Sequence, residues 1–407
     1  MFENKHSITL LMNGSNVFDR KVIEGIGHYL QTSKADWDLY LEENFLERFD
    51  NVDEWAGDGI IADFDNPEFN KALKGTNIPV VGLGGSYSDP SDYPDFPYVA
   101  TDNYALVNAA YQHLRQKGIE RFAFYGAPME AHERWSKERE KAALGIINGE
   151  GYDCQVYHGH HIKAETWKMS IARLADWLKS LPTPIGIIAV TDARARHLLQ
   201  VCDHHDILVP DNVSIIGIDD DEIARFLNRV SLSSVSQGCF DIGFQAAKKL
   251  HRILSGQKVS NKPFLVPPVK VIERQSTDFK AIKDTHVMQA MHFIRQKACR
   301  GIKVEQVLDY VGVSRSNLEQ RFKECGHSIH NEIHHEKLRK ACSMLKNTAQ
   351  STTEIANICG YPSLQYMYAV FKKHFDKTPR EYRDNAKGVS PEAKVVNIEG
   401  IHLDEDE

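Results

Sequence analysis

Short apolar runs recur along the first 275 residues, each separated from the next by a helix-length amphipathic stretch. Eight of them read as strands: Ile8–Asn13, Trp37–Glu43, Gly59–Phe64, Pro79–Leu83, Arg121–Tyr125, Cys154–Tyr157, Gly186–Val190 and Val213–Ile218. Their centres are mostly free of charge, the pattern of parallel strands covered on both faces. Helices are expected between them, at Asp19–Gln31, Tyr104–Lys117, Trp135–Ile147, Glu165–Ser180 and Ala193–Cys202. This alternation predicts a doubly wound α/β architecture, and its length favours two lobes over one sheet.

The pattern changes near Arg274–Asp278, beyond which every segment reads as a short helix. Lys303–Tyr310, the turn Val311-Gly312-Val313 and Arg315–Glu324 form a helix-turn-helix, with Ser314 placed to cap the second helix through its hydroxyl. Thr353–Cys359, Gly360-Tyr361-Pro362 and Leu364–Phe375 repeat the arrangement, with Ser363 as the cap. Between them, Ile333–Lys346 is an amphipathic helix of about 21 Å, able to hold two recognition helices in neighbouring major-groove segments. The expected domains are 1–275, a linker at 276–284, a helical domain at 285–388 and an acidic tail at 389–407.

Charge sharpens this division. The chain of 407 residues carries a net charge of -7, yet residues 285–388 hold 17 Lys and Arg against 10 Asp and Glu. Residues 1–284 are net -9 and the tail is net -5. A basic helical block on an acidic body suggests a nucleic-acid-binding module attached to a separate unit. No apolar run approaches the roughly 20 residues of a membrane span. The N-terminus has no export-signal pattern, and the seven cysteines include no Cys-x-x-Cys spacing. A cytoplasmic protein with reduced thiols, and no membrane partner, is expected.

The segment Ile355–Arg383, with its closing Thr378-Pro379 and Tyr382-Arg383, resembles the signature of the AraC/XylS family of transcription activators. The resemblance spans about 285–384 and implies two DNA-reading motifs on one monomer. The expected DNA contacts are Arg315, Ser316, Asn317, Gln320 and Arg321 in the first motif and Ser363, Gln365 and Tyr366 in the second. Thr101-Asp102-Asn103, Arg139, Thr191-Asp192, Val213–Asp220 and Leu232–Gln237 are similar to pieces of lactose-repressor-type regulators and periplasmic sugar-binding proteins. Those repressors carry an N-terminal helix-turn-helix, whereas here the first strand begins at Ile8. With Gly186–Arg196, nearly the whole chain resembles bacterial xylose-operon regulators.

That resemblance implies a two-lobed periplasmic-binding-protein-like α/β domain followed by an all-α domain. It also implies a transcription activator answering D-xylose or a related pentose, binding double-stranded operator DNA as a homodimer and engaging RNA polymerase. The expected sugar contacts are Asn13, Arg139, Asp219 and Gln237, Thr191 or Asp192 beside them, and the aromatic rings of Phe18 and Trp135. Asp102 and Asn103 are read as caps of the following helix. A repressor is the alternative within this class. An enzyme acting on sugar through Asp192 and Asp219 is the alternative outside it, but no nucleophile–base pair or phosphate loop stands near them. Gly82-Leu-Gly-Gly85 is followed by Ser86-Tyr-Ser-Asp-Pro and not by a helix. No cofactor is expected. Nor is a metal: the pairs His204-His205 and His334-His335 point to different sides of a helix, and His158–His161 and His330/His334 lack a full ligand pattern.

Overall fold

The computed structural model describes residues 5–42, 57–128, 133–159, 165–280, 282 and 284–388. The acidic tail lies outside them. The chain divides into two compact units, 1–279 and 280–407.

In the first unit, β1 (His6–Leu11), β2 (Trp37–Glu42), β3 (Gly59–Asp63), β4 (Val80–Gly85), β5 (Tyr98–Thr101) and β11 (Phe264–Val266) form one sheet. Its order is β11-β5-β4-β3-β1-β2, parallel throughout. A second sheet has the order β12-β10-β9-β8-β6-β7. Its strands are β6 (Phe122–Tyr125), β7 (Cys154–Tyr157), β8 (Ile185–Ala189), β9 (Val213–Ile218), β10 (Ser233–Ser236) and β12 (Lys270–Ile272), the last antiparallel to β10. The chain crosses between the sheets after β5, β10 and β11, so neither lobe is one continuous segment.

Both sheets are covered on both faces, which explains the unbroken apolar runs. In the first lobe α1 (Val17–Thr32) and α8 (Cys239–Leu254) bury Ile8, Leu10, Val22, Ile26, Ile242 and Leu250. Phe69 of α2 (Pro67–Ala72) and Leu73 pack with Leu11, Ile60 and Tyr98 in a separate core. In the second lobe α3 (Asn103–Gln116) and α4 (Arg134–Gly149) pack against Phe124 and Ile188, while α5 (Trp167–Ser180) and α6 (Asp192–His204) pack against Ile187 and Ile215. The short α7 (Glu222–Phe226) follows β9.

Helices α1 and α8 approach closely enough to need glycine. A Cβ on Gly243 would lie 1.9 Å from the Val22 carbonyl oxygen, and one on Gly25 1.9 Å from that of Phe240. Gly243→Val is therefore expected to lower thermal stability by about 1–3 kcal/mol or more, as overpacking does. An unchanged melting curve would contradict this packing.

Among the described residues the second unit is helical: α9 (Thr285–Lys297), α10 (Val304–Val311), α11 (Arg315–Glu324), α12 (Ile329–Asn347), α13 (Thr352–Ile358), α14 (Leu364–Phe375) and α15 (Pro379–Gly388). It has two small cores. One gathers Val287, Ile294, Val307, Leu318, Phe322 and Ile333; the other gathers Leu338, Leu345, Ile355, Met367 and Phe371. Helix α12 contributes to both. Its 19 residues make it about 28 Å long, longer than the expected span because the buried Ile329 extends the apolar stripe one turn toward its N-terminus.

Three expectations need correction. The segment read as a linker at 276–284 begins inside the α/β unit: Ser276 and Thr277 are fully buried, and Ser276 Oγ donates to the Ile215 carbonyl at 2.6 Å. Ser314 occupies the N-cap position of α11, but its hydroxyl makes no capping bond. Four short strands, β5, β10, β11 and β12, join the eight read from apolar runs.

Candidate ligand cleft and DNA-binding face

The carboxyl ends of the parallel strands in an open α/β sheet are where ligands bind, and here those ends carry a cluster of buried polar groups. After β1, Asn16 caps α1 by accepting from the Asp19 amide at 2.7 Å. Asp19, in the first turn, is fully buried. Its Oδ2 accepts from the Asn13 amide at 2.6 Å and from Asn16 Nδ2 at 3.0 Å, while its Oδ1 has no partner. Burial pushes this carboxyl up to about 6, against the pull of its two hydrogen bonds.

Arg139 reaches the cleft from α4 and is 4% exposed. Its Nε donates to Asn103 Oδ1 at 3.0 Å and its Nη1 to the Val190 carbonyl at 2.6 Å. Asp219 Oδ1 lies 4.0 Å from Nη1 and accepts from Gln237 Nε2 at 2.5 Å. Burial raises the Asp219 carboxyl to about 6, with the Arg139 charge opposing it. The Trp135 ring lies under the guanidinium, 4.9 Å from its centre. Trp135 is half-buried against the core of its lobe. Phe18 is half-buried against the other lobe's core.

Two clasps join the lobes. Arg134 of α4 pairs with Asp65, donates to the Gly85 and Ser86 carbonyls at 3.0 and 2.9 Å, and stacks 3.6 Å over the Tyr87 ring. In the opposite direction Lys21 of α1 donates to the carbonyls of Asp219 and Asp220 at 3.0 and 3.3 Å. Both aspartates hold a positive φ, 129° and 51°, a conformation costly for a residue with a Cβ. Lys21 thus fixes a strained loop from across the cleft.

The structure brings Arg139, Asp219, Gln237 and the Trp135 ring together. Other expected contacts have different work. Thr191 caps α6, accepting from the Arg194 amide at 3.2 Å. Asp192 is buried and spends both oxygens internally, on the Asp221 amide at 2.8 Å and on Ser234 Oγ at 2.7 Å. Burial first, then the neighbouring Asp219 charge, raise it to about 7. Asn13 is exposed, and its Oδ1 accepts from the amide and hydroxyl of Ser15. Asp102 is the cap of α3, accepting from the Ala105 amide at 2.9 Å. Asn103 is not a cap, and its Nδ2 is buried without a partner.

Asp19, Asp65, Arg134 and Lys21 were not among the expected contacts. Asp19 reads in sequence as an ordinary first-turn helix acid. Arg134 reads in sequence as an ordinary basic residue at the start of a helix, one residue before Trp135.

Asp19 Oδ1, Asn103 Nδ2, Gln237 Oε1 and Tyr98 Oη are all buried without a hydrogen-bond partner. A buried polar atom left unsatisfied costs about 1–3 kcal/mol. Several at the strand ends of one cleft call for a ligand rich in hydroxyls that both donate and accept. Among the described residues no group of three His, Cys, Asp or Glu is placed to hold a metal; His160 and His161 lie outside them.

In the helical unit, α11 presents Arg315, Ser316, Asn317 and Gln320 outward. Arg315 pairs with Glu319 at 2.8 Å and Glu305 at 3.5 Å. Arg321 is drawn inward, to Asp284 Oδ2 at 2.5 Å and Asn317 Oδ1 at 2.7 Å, so it braces α11 on the start of α9. Ser363 Oγ caps α14 by accepting from the Tyr366 amide at 3.1 Å, leaving the exposed Gln365 and Tyr366 side chains on its first turn.

Comparison with known proteins agrees with both units. Family models match for a XylR N-terminal domain at residues 7–104, a periplasmic binding protein-like domain at 111–277 and a helix-turn-helix domain at 307–385. The chain is 54% identical over 385 residues to the xylose operon regulatory protein of Escherichia coli K12, covering 94% of this chain and 98% of that one. It is 50% identical to the protein of the same name from Haemophilus influenzae, covering 95% of this chain and all of the relative. A solved structure described as a xylose-binding transcription activator superposes with a TM-score of 0.88 at 53% identity, over 95% of this chain and 99% of that one. These relatives are regulators, not enzymes, and the chain belongs to the family of bacterial xylose operon regulatory proteins.

Proposed function

We propose that the protein is a transcription activator that takes D-xylose into the interlobe cleft and, in response, binds operator DNA through both helix-turn-helix units. The unsatisfied atoms Asp19 Oδ1, Asn103 Nδ2 and Gln237 Oε1 carry the reading. Asn103 Nδ2 and Gln237 Oε1 supply a donor and an acceptor on side chains bonded to Arg139 and Asp219, Asp19 Oδ1 supplies an acceptor after β1, and the Trp135 ring offers an apolar face to the sugar's C–H side. Asn103, Arg139, Asp219 and Gln237 hold the sugar from the second-lobe side and Asp19 from the first. Binding then favours the closed form held by the Arg134 and Lys21 clasps. A switch from 1:99 to 99:1 requires the sugar to favour one arrangement by about 5.5 kcal/mol. The active form is a cytoplasmic homodimer whose helical domains sit on repeated half-sites and recruit RNA polymerase.

Thermal melting against a panel of C5 and C6 sugars tests the reading. D-xylose at a hundredfold excess over its dissociation constant is expected to raise stability by about 2.7 kcal/mol, with other pentoses giving less. A larger shift with another pentose would keep the architecture and change the inducer; no shift with any sugar would overturn the sensor. On the DNA side, Arg315→Ala is expected to weaken binding to the protein's promoter DNA. If Arg315 contacts phosphate, the variant also lowers the salt slope by about one. Unchanged binding would remove α11 from the interface.

A further inference from the structure

Helix α11 carries an amide whose orientation is set from outside the helix. Asn317, in its first turn, is exposed. Its Oδ1 accepts from Arg321 Nε at 2.7 Å, one helical turn further on. A guanidinium has donors only, so the amide oxygen must face Arg321, and the amide nitrogen is the end that remains. Arg321 is itself held: its Nη1 donates to Asp284 Oδ2 at 2.5 Å, and the two side chains are 34% and 23% exposed. Asp284 divides its carboxylate between two helices. Oδ1 accepts from the His286 and Val287 amides at 2.9 and 3.1 Å and so caps α9, which leaves Oδ2 for Arg321. Burial opposes the charge, but the Val287 amide and Arg321 hold the carboxyl below its usual range.

We infer that Asp284 and Arg321 are positioning residues that fix the Asn317 amide in one orientation, and that Asn317 therefore reads a guanine in the major groove. The inference rests on the reading of α11 as a DNA-binding helix. An asparagine pairs with adenine through both ends of its amide, the oxygen accepting from N6 and the nitrogen donating to N7. Here the oxygen is committed to Arg321, so the end left for DNA is a donor. Guanine offers that donor two acceptors, N7 and O6, whereas adenine sets its own N6 amino donor against it.

The brace is what makes the orientation hold. An exposed i, i+4 pair is weak by itself, and DNA can exchange such a pair for its own contacts at little cost. The neighbouring side chains of α11 are of that kind. Arg315 pairs with Glu319 and Glu305, and Gln320 Nε2 donates to Glu324 Oε1 at 2.9 Å, and every one of these residues is exposed. Arg321 differs because a charge-assisted bond anchors it to the cap of α9. Turning the Asn317 amide over would set its nitrogen against a guanidinium that cannot swing away, donor against donor.

The test selects bound sequences from a library of random-sequence DNA duplexes, using the full-length protein with D-xylose present. It is repeated with Asn317→Ala, Arg321→Met, Asp284→Asn and Arg315→Ala. Wild type is expected to show a position where guanine is preferred over adenine by about tenfold, and Asn317→Ala to lose that preference alone. In Asp284→Asn the α9 cap keeps an amide oxygen, but the new amide nitrogen gives Arg321 no acceptor, so the Asn317 amide is free to turn. There, and in Arg321→Met, adenine should be accepted about as well as guanine at the same position. A wild-type preference for adenine or thymine at the position that Asn317→Ala changes would overturn the assignment. So would an Asn317→Ala protein that loses affinity equally for all sequences, which would make Asn317 a phosphate contact. A guanine preference intact in both Asp284→Asn and Arg321→Met would overturn the positioning roles. If Asn317→Ala alone leaves the selected sequences unchanged, the inference fails while α11 stays at the interface through Arg315. If Arg315→Ala leaves them unchanged too, the reading of α11 fails with it. Wild type against Asn317→Ala decides the base even if Arg321→Met folds poorly.

Discussion

Asp19→Asn is expected to leave the sugar-free protein at least as stable as wild type while removing most of its response to xylose. The retained amide oxygen can keep the bonds from the Asn13 amide and Asn16 Nδ2 that now reach Oδ2. What changes is the unpartnered Oδ1 position, which becomes an N–H donor where the sugar hydroxyl needs an acceptor. A hydrogen bond to a charged group contributes about 1.5–3 kcal/mol, so affinity should fall roughly 10- to 100-fold. Stability moves the other way because the wild-type carboxyl is raised from 3.8 to about 6 on folding. A raised carboxyl binds more protons folded than unfolded, so its ionisation lowers stability as pH climbs through that window. The asparagine has no such penalty. The same pKa gives wild-type xylose binding a pH dependence. The bound hydroxyl favours the ionised form, which is about one-tenth populated at pH 5, so affinity there should be about tenfold weaker than at pH 7.5. Calorimetry on both proteins at both pH values checks this. An Asp19→Asn protein that binds xylose as tightly as wild type would remove Asp19 from the site.

What the sequence reveals of such a site follows from which residues announce their role locally. The eight apolar strands are legible because both faces of each sheet are buried. Strand β10 is not, since Ser233, Ser234 and Ser236 make it look like a loop. The two buried hydroxyls are in fact engaged: Ser234 bonds to Asp192, and Ser233 to Thr277 and the Arg274 carbonyl. The two helix-turn-helix units are legible because their turn glycines and short amphipathic helices are close in sequence. Arg139, Asp219 and Gln237 were recoverable through family resemblance, but Asp192 was not separable from them. A carboxylate at a strand end looks the same whether it faces a ligand or, as here, bonds to the Asp221 amide and Ser234. Asn103 was hidden for the converse reason: the adjacent Asp102 and Asn103 are both plausible caps, and only the packing shows that Asp102 takes the role. The interlobe clasps were beyond sequence altogether, because Arg134–Asp65 and Lys21–Asp219 depend on how two sheets face each other.

Arg139→Met is expected to cost the α/β unit about 3–5 kcal/mol, the range for removing one partner of a buried ionic network. A melting temperature lower by on the order of 10 °C would follow for a unit of this size. The methionine has nearly the length of the arginine stem, so what is lost is the guanidinium's hydrogen bonds, its charge and its cation–π contact with Trp135, and not packing volume. Asn103 Oδ1 and the Val190 carbonyl lose their donors, and Asp219 loses its nearest cation. Xylose binding should disappear as well, but that alone cannot separate contact with the sugar from support of the cleft. A double-mutant cycle with Asp219→Asn can. If Arg139 acts mainly by compensating Asp219, the pair should be more stable than the two single effects predict by about 0.5–3 kcal/mol, the usual coupling between contacting residues. Strict additivity would mean that the 4.0 Å separation carries no net coupling and that the bonds to Asn103 and Val190 account for the whole effect. Arg139 would then be the strut that holds the α3 start and the β8 end in register, and Asp219 would answer to Gln237 and the Lys21 clasp alone.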